Sequence, residues 1–180
     1  AQNALEANYD FAPDEVIAIL NIGAEITNIN LVQGGVPYFT KDLQVGGHSF
    51  IEATQRKFNL SQSEAAAAVR GESGTALEIA PVIEQACEGL ATALERAQAY
   101  LRTAGEAGAV SRVMLCGGSA LTPGLPEFLN RRFGVPAEIA NPLARVSYDP
   151  ELFAGHDVMK VAPFLTVGLG LALRRLGDKK

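Results

Sequence analysis

The pattern of apolar and polar residues predicts a three-stranded β-meander near the start of the sequence. Residues 16–20 form a continuous apolar run rich in β-branched side chains, which is typical of a strand covered on both faces. Residues 27–31 then alternate between polar and apolar side chains, so a second strand with one buried face follows. Gly34 and Gly35 can adopt the positive φ angles of a tight turn, and we expect a third, antiparallel strand over residues 36–43.

The middle of the sequence changes to helical spacing. Apolar residues recur at that spacing over residues 50–58, and Ser61 with Glu64 has the spacing of a capping box that starts a further helix. A longer helix is expected over residues 81–102, and Cys87 falls on its apolar stripe. The cysteine is therefore interpreted as part of the core rather than as a nucleophile.

A second buried strand is predicted over residues 113–116. It stops at Gly117 and Gly118, and a tight loop then leads into a helix over residues 126–133. A short edge strand is expected at residues 137–140, followed by a loop.

The last apolar segment predicts a buried helix. This helix is expected to begin near Pro163, and because it is apolar nearly all round it should pack inside the fold. Gly168 and Gly170 are expected to let a neighbouring backbone approach closely. The apolar stretch at residues 161–173 has about 13 residues, fewer than the roughly 20 needed to cross a bilayer.

Length and charge narrow the class of protein. The chain has 180 residues and a formal net charge of −5, which fits one large globular domain or two small lobes. Lysine and arginine are scattered, which argues against a nucleic-acid partner. The two cysteines lack the spacing of a metal or redox motif, so a reducing cytoplasm is the expected location. The sequence opens inside a helix-forming stretch, residues 1–7, and we expect an N-terminal portion to be missing.

Two glycine turns carry the candidate chemistry. Gly23 follows the first buried strand, where backbone N–H groups can approach an anion and the hydroxyl of Thr27 can add a donor, although a simple hairpin turn explains the same residues. Gly117 and Gly118 follow the second buried strand and open a loop before a helix, which brings backbone against a ligand. No spacing of histidine, cysteine and carboxylate residues predicts a metal site or a catalytic triad.

Three stretches in this order resemble the actin-like ATPase family. Residues 21–28 are similar to its second phosphate-binding loop, residues 115–125 to its adenosine loop, and residues 162–175 to its second connecting helix. Within that family the segments LVQGGVPYFTKDLQVGG, CGGSALTPGLPEFL and APFLTVGLGLALRR resemble the type IV pilus assembly proteins, which are related to the division protein FtsA.

The resemblance implies an α/β fold, lobe II of an actin-like (ribonuclease H-like) protein. Such a lobe has a mixed sheet flanked by helices, plus a small, mostly helical subdomain. Subdomain IIA would comprise residues 1–46 and 105–180, and subdomain IIB residues 47–104. ATP and Mg²⁺ are implied for the two-lobed protein, whereas no cofactor is expected on this lobe alone and no catalytic residue is assigned. The implied nucleotide-binding residues are Asn21, Gly23, Ala24, Glu25, Thr27, Gly117, Gly118, Ser119 and Leu121.

The sequence departs from the family's pattern at three polar positions. The phosphate loop of the family usually begins with aspartate, which holds the water shell of Mg²⁺, whereas Asn21 is neutral and could reach a metal only through water. The family's glutamate and lysine beside the nucleoside correspond to Ala66 and Val69. The nucleotide site is therefore expected to be degenerate.

The resemblance implies a cytoplasmic scaffold of the type IV pilus assembly platform, peripheral to the inner membrane through partner proteins. The expected partners are PilN, whose N-terminal peptide should bind the missing lobe, and other platform proteins, with self-association through uncovered apolar surface. Two alternatives stay open. One is an active actin-like ATPase of the pilus or cell-division machinery, and the other is a sugar-kinase-like phosphotransferase, for which Glu25 and Asp42 are the only acids near the phosphate turn.

Overall fold

A mixed β-sheet of five strands lies at the centre of the residues that the structure describes. The computed structural model describes residues 1–72, 78–104 and 108–174. The strands are β1 (Val16–Ile22), β2 (Thr27–Gln33), β3 (Val36–Leu43), β4 (Val110–Cys116) and β5 (Ala137–Ile139). Their order is β3-β2-β1-β4-β5, in which β1, β2 and β3 pair antiparallel while β4 pairs parallel with both β1 and β5.

Helices cover both faces of this sheet, which confirms the predicted α/β fold. They are α1 (Gln2–Asn8), α2 (Gly47–Phe58), α3 (Gln62–Val69), α4 (Ala80–Ala104), α5 (Leu125–Phe133) and α6 (Val158–Ala172). Two 3₁₀ turns, Gly118–Leu121 and Pro150–Phe153, lie in loops.

Local signals produce the predicted meander and the helix ends. Gly34 and Gly35 have φ angles of 55° and 80°, and the strands that they connect pair antiparallel. Asn59 ends α2 in the left-handed conformation with φ 53°. The capping box is also present, because the Ser61 hydroxyl accepts from the Glu64 N–H and the Glu64 carboxylate accepts from the Ser61 N–H.

Side chains of β1 alternate between two hydrophobic cores. Leu20 points into the larger core, which also contains Leu90 and Cys87 of α4. Ile19 points into a smaller core under Leu5 of α1. Burial raises the pKa of the Cys87 thiol to about 12, which agrees with its predicted place in the core. Since α4 shares a core with the sheet, packing alone does not separate the two predicted subdomains. Their boundaries, after residues 46 and 104, stay predictions, and residue 105 itself lies outside the described residues.

The last helix differs from its prediction in both start and burial. It begins at Val158 rather than near Pro163, because the Asp157 carboxylate caps it by accepting from the Met159 N–H, and Pro163 lies inside the helix. Only one side is buried, against α1, the 3₁₀ turn at Gly118–Leu121 and β4. Several large apolar side chains on the other side are exposed, namely Phe164, Val167 and Leu171. Among the described residues, no helix is long and apolar enough to cross a bilayer.

The two glycines of this helix also differ from each other. A Cβ atom at Gly170 would lie 3.4 Å from the Ala4 nitrogen of α1, so the helices approach closely there as predicted. A Cβ atom at Gly168 would meet nothing within 4 Å, so the prediction of a close approach is wrong at that position.

Candidate functional site

The two predicted glycine turns lie side by side at one edge of the sheet. β1 and β4 are parallel neighbours in which Asn21 pairs with Cys116, so the turns after both strands emerge together. The fold thereby brings together Gly23 and Ser119, which are 96 positions apart in the sequence. A crevice at the carboxyl ends of adjacent strands is the usual ligand site of an α/β sheet.

The first turn is held by the N-terminus of α2. The Gly47 N–H donates to the Gly23 carbonyl at 3.0 Å, and the His48 N–H donates to the Ala24 carbonyl at 2.7 Å. A Cβ atom at Gly46 would lie 2.7 Å from both of these carbonyl oxygens, so only glycine fits there. The turn therefore satisfies N–H groups that a helix N-terminus leaves unpaired, and this fixes its position against α2.

Ser119 joins the second turn to the first. Its hydroxyl donates to the Gly23 carbonyl at 2.9 Å, the same oxygen that accepts from Gly47. A Cβ atom at Gly47 would lie 2.4 Å from the Ser119 Oγ, so the absence of a side chain there makes room for the hydroxyl. One carbonyl thus ties together both turns and the start of α2.

The glycines of the second turn are required by packing within the protein. Gly117 has φ 84°, and a Cβ atom on it would lie 2.4 Å from the Ile22 carbonyl oxygen. Its N–H donates to the Pro163 carbonyl at 3.0 Å, which attaches the turn to α6. A Cβ atom on Gly118 would lie 2.3 Å from the Phe164 ring. The bare face of Gly118 therefore faces an aromatic ring of the protein.

A groove of about 620 Å³ opens beside the two turns. This volume lies in the range of small-molecule sites. Its lining includes part of α2, α3, the second turn and the first half of α6. The predicted site residues that line it are Gly23, Ala24, Gly118, Ser119 and Leu121.

The other predicted residues lie around the groove without lining it. Thr27 is fully buried and its hydroxyl donates to the Val45 carbonyl at 2.7 Å, so it supports the turn from inside and does not offer the expected donor. The Glu25 carboxylate is exposed and lies 3.7 Å from the His48 Nδ1. Asn21 is the residue before the last of β1, and Gly117 directly follows β4. Asp42 accepts a hydrogen bond from Asn28 on the neighbouring strand, away from the groove lining.

Several lining residues were not predicted as site residues. Ala66 and Val69, the positions where the family carries glutamate and lysine, do line the groove. Lys160 and Phe164 reach it from α6, four residues apart and thus on one face of that helix. The remaining additions are Gly47, His48, Ile51, Arg70, Glu72 and Thr122. Spacing on α6 could have paired Lys160 with Phe164, but no local pattern connects either of them to Gly118.

The groove is apolar with a net basic rim. Of the described residues that line it, Glu72 is the only carboxylate, and it pairs with the Arg70 guanidinium at 2.7 Å. Lys160 adds a further cation. No group of three metal-ligating side chains occurs within residues 1–72, 78–104 and 108–174. Burial raises the pKa of the Cys116 thiol, beneath the second turn, to about 12, so it stays protonated and is a poor nucleophile.

Solved structures with the same arrangement of sheet and helices show which fold this is. MreB5 of Spiroplasma citri bound to AMPPNP matches with TM-score 0.64 and 16% identity, over 96% of this chain and 56% of that chain. The archaeal actin homolog Ta0583 in complex with ADP matches with TM-score 0.58 and 16% identity, again over 96% and 56%. At this level of identity the likeness concerns the fold alone, which is the predicted actin-like fold.

A family model is more specific. The model described as type IV pilus assembly protein PilM matches residues 4–176, so the chain belongs to the PilM family. A chain of a solved PilM-PilN type IV pilus biogenesis complex matches with TM-score 0.77 and 32% identity. The match covers 96% of this chain and 50% of that chain, so this chain spans about half the length of that relative.

Proposed function

We propose that this chain is one lobe of a pilus assembly scaffold whose nucleotide groove no longer supports hydrolysis of Mg-ATP. The observation that carries the proposal is the charge of the groove. Its described lining contains one carboxylate, Glu72, which is already paired with Arg70. An ATPase of this fold needs acidic groups that hold the water shell of Mg²⁺ and position a water for attack on phosphate.

The residues fit the base and sugar of a nucleotide better than they fit a metal. An apolar wall and a volume of about 620 Å³ suit a nucleoside. Mg²⁺ prefers carboxylate and water oxygens, and Asn21 supplies only a neutral amide at the strand end. Ala66 and Val69 offer no polar group to the ligand. No catalytic step through Mg²⁺ is therefore assigned to this chain.

Titration calorimetry with Mg-ATP tests this proposal on the chain itself. We expect binding weaker than micromolar and no release of phosphate above the buffer rate. Asn21→Asp should introduce a dependence on Mg²⁺, because a carboxylate replaces an amide against a divalent cation. Ala66→Glu combined with Val69→Lys is the matched comparison, since it restores polar contacts without touching the metal position. Micromolar binding by the unmodified chain, or phosphate release that stops when Mg²⁺ is removed, would show that the groove is functional.

We further propose that the assembled protein works with PilN at the inner membrane and that this lobe alone does not hold the PilN peptide. The support is that the similar chain comes from a PilM-PilN complex and that only 50% of that chain is matched here. The peptide site is assigned to the part that this chain does not cover. A pull-down with the N-terminal PilN peptide, with light scattering to detect self-association, is the measurement. A saturable complex with this chain alone would place the peptide site on this lobe.

A further inference from the structure

Phe164 is an exposed aromatic ring at the border of the groove. Its side chain is 61% exposed although the ring edge lies against Gly118, where a Cβ atom would be only 2.3 Å away. The glycine thus holds the ring by its edge and leaves much of the ring uncovered. An exposed ring of this kind offers a flat apolar face on which another planar group can stack.

Other residues that line the groove are apolar as well. Ile51, Val69 and Leu121 line the same space, and Lys160 lies one turn before Phe164 on the same face of α6. These side chains can cover the faces of a flat ring, and they offer no carboxylate to a metal. An aromatic platform with apolar neighbours and one cation is suited to a nucleobase.

We propose that Phe164 stacks against the base of a nucleoside in this groove and that this contact, rather than metal-bound phosphate, supplies most of the affinity. The inference rests on the proposed function, because it assumes that the groove is a nucleotide groove with lost polar anchors. Beyond that function, the inference says that the base is the part of the ligand that is recognised and that Phe164 recognises it. Adenosine should then bind within about threefold of ATP, since phosphate and Mg²⁺ add little where the carboxylate is missing.

The sequence offers a direct optical test because it contains no tryptophan. Phe164→Trp places one reporter at the proposed platform. Leu171→Trp is the matched control, because Leu171 is also 61% exposed on α6 but does not line the groove. Both variants are titrated with adenosine and with ATP, each with and without Mg²⁺, at millimolar concentrations, and quenching of tryptophan emission is recorded.

We expect saturable quenching by adenosine and ATP at position 164 and only linear, collisional quenching at position 171. Calorimetry should show that Phe164→Ala weakens adenosine binding about tenfold, whereas Phe164→Tyr retains it, because stacking requires a ring. A melting curve of Phe164→Ala is the check that this variant folds. Because the side chain is exposed, we expect no large loss of stability.

Every other result contradicts either the stacking role of Phe164 alone or both the stacking role and the proposed function. Identical quenching at the two positions, or unchanged affinity in Phe164→Ala, rules out the stacking role while the scaffold proposal stands. No saturation with any nucleoside also rules out stacking, and it leaves the scaffold proposal intact. Tight binding of ATP that requires Mg²⁺ and far exceeds that of adenosine contradicts both, because it would show that the metal contact has been retained.

Discussion

The two helices α4 and α6 differ in how much of their apolar surface is buried. α4 spans 25 residues and α6 spans 15. On α4 the apolar side chains form a stripe that is buried against the sheet, and Leu90 and Leu94 are fully inaccessible. On α6, which has almost no polar side, Phe164 and Leu171 are each 61% exposed.

The difference shows what an apolar pattern can and cannot predict. The polar positions of α4 specify which side faces water, so the buried side is specified too. α6 lacks such positions, and its buried side is chosen by where α1 and the second glycine turn lie. The apolar residues of a helix therefore set the largest area that it can bury. How much of that area is buried depends on the elements that pack against the helix.

The largest effect should come from leucine truncation on the two helices. Leu90→Ala removes a fully buried side chain and should lower the free energy of unfolding by about 3 kcal/mol through lost burial and a residual cavity. Leu171→Ala makes the same change on α6 and should cost less than about 0.5 kcal/mol. Urea unfolding of both variants measures the difference. Equal losses would mean that α6 is buried in solution and that the contrast between the helices is wrong.

A side chain at Gly118 should disturb α6 through Phe164. Gly118→Val places atoms where the ring now lies, and we expect a loss of about 1–3 kcal/mol in ligand-free protein from overpacking. Adding Phe164→Ala should recover much of that loss, because the clashing ring is removed. Thermal melts of the single and double variants test the coupling. Additive losses would indicate that the strain at Gly118 is in the backbone and not in the contact with α6.

Alanine substitutions at the two glycines of α6 should change stability by different amounts, because one glycine lies on the open side of the helix and the other on the packed side. Gly168→Ala should stabilise the protein by about 0.5–1 kcal/mol, since the new methyl group meets nothing and the unfolded chain loses freedom. Gly170→Ala faces α1 at contact distance and should gain less. Melting temperatures of the two variants give the comparison. A loss at Gly168 would reveal a neighbour on the side that we describe as open.

The smallest effect concerns the ion pair that anchors α1, the helix that covers the packed side of α6. Side-chain hydrogen bonds from Arg145, together with its charge, lower the pKa of Asp10 below its ordinary value of 3.8. A lowered folded-state pKa contributes stability that is present above the unfolded value and lost as pH falls through the folded one. Asp10→Asn should therefore melt slightly below wild type at neutral pH, and the difference should vanish in acid.

Salt provides the control for this last prediction. Both side chains are exposed, so added salt should screen the pair and reduce the difference at neutral pH. A difference that persists in acid or in high salt would assign the effect to packing of α1 and not to the charge pair.

Local chemistry determined most of the secondary structure of this protein from its sequence. Gly34 and Gly35 adopt the predicted positive φ angles, and the capping box at Ser61 starts α3. These outcomes follow from interactions between neighbouring residues, which a sequence pattern contains directly. The actin-like fold and the PilM family were also predictable, because three motifs occur in the order that the family requires.

Only the tertiary structure decided which side chains meet at the groove. Phe164 reaches Gly118 because the Gly117 N–H bonds to the Pro163 carbonyl, a contact between residues far apart in the sequence. The Thr27 side chain points inward for a comparable reason, because its hydroxyl donates a hydrogen bond to the Val45 carbonyl. The sequence determined the strands and the turns that end them. The direction of each side chain at those turns depended on long-range packing and hydrogen bonding, which no local pattern contains.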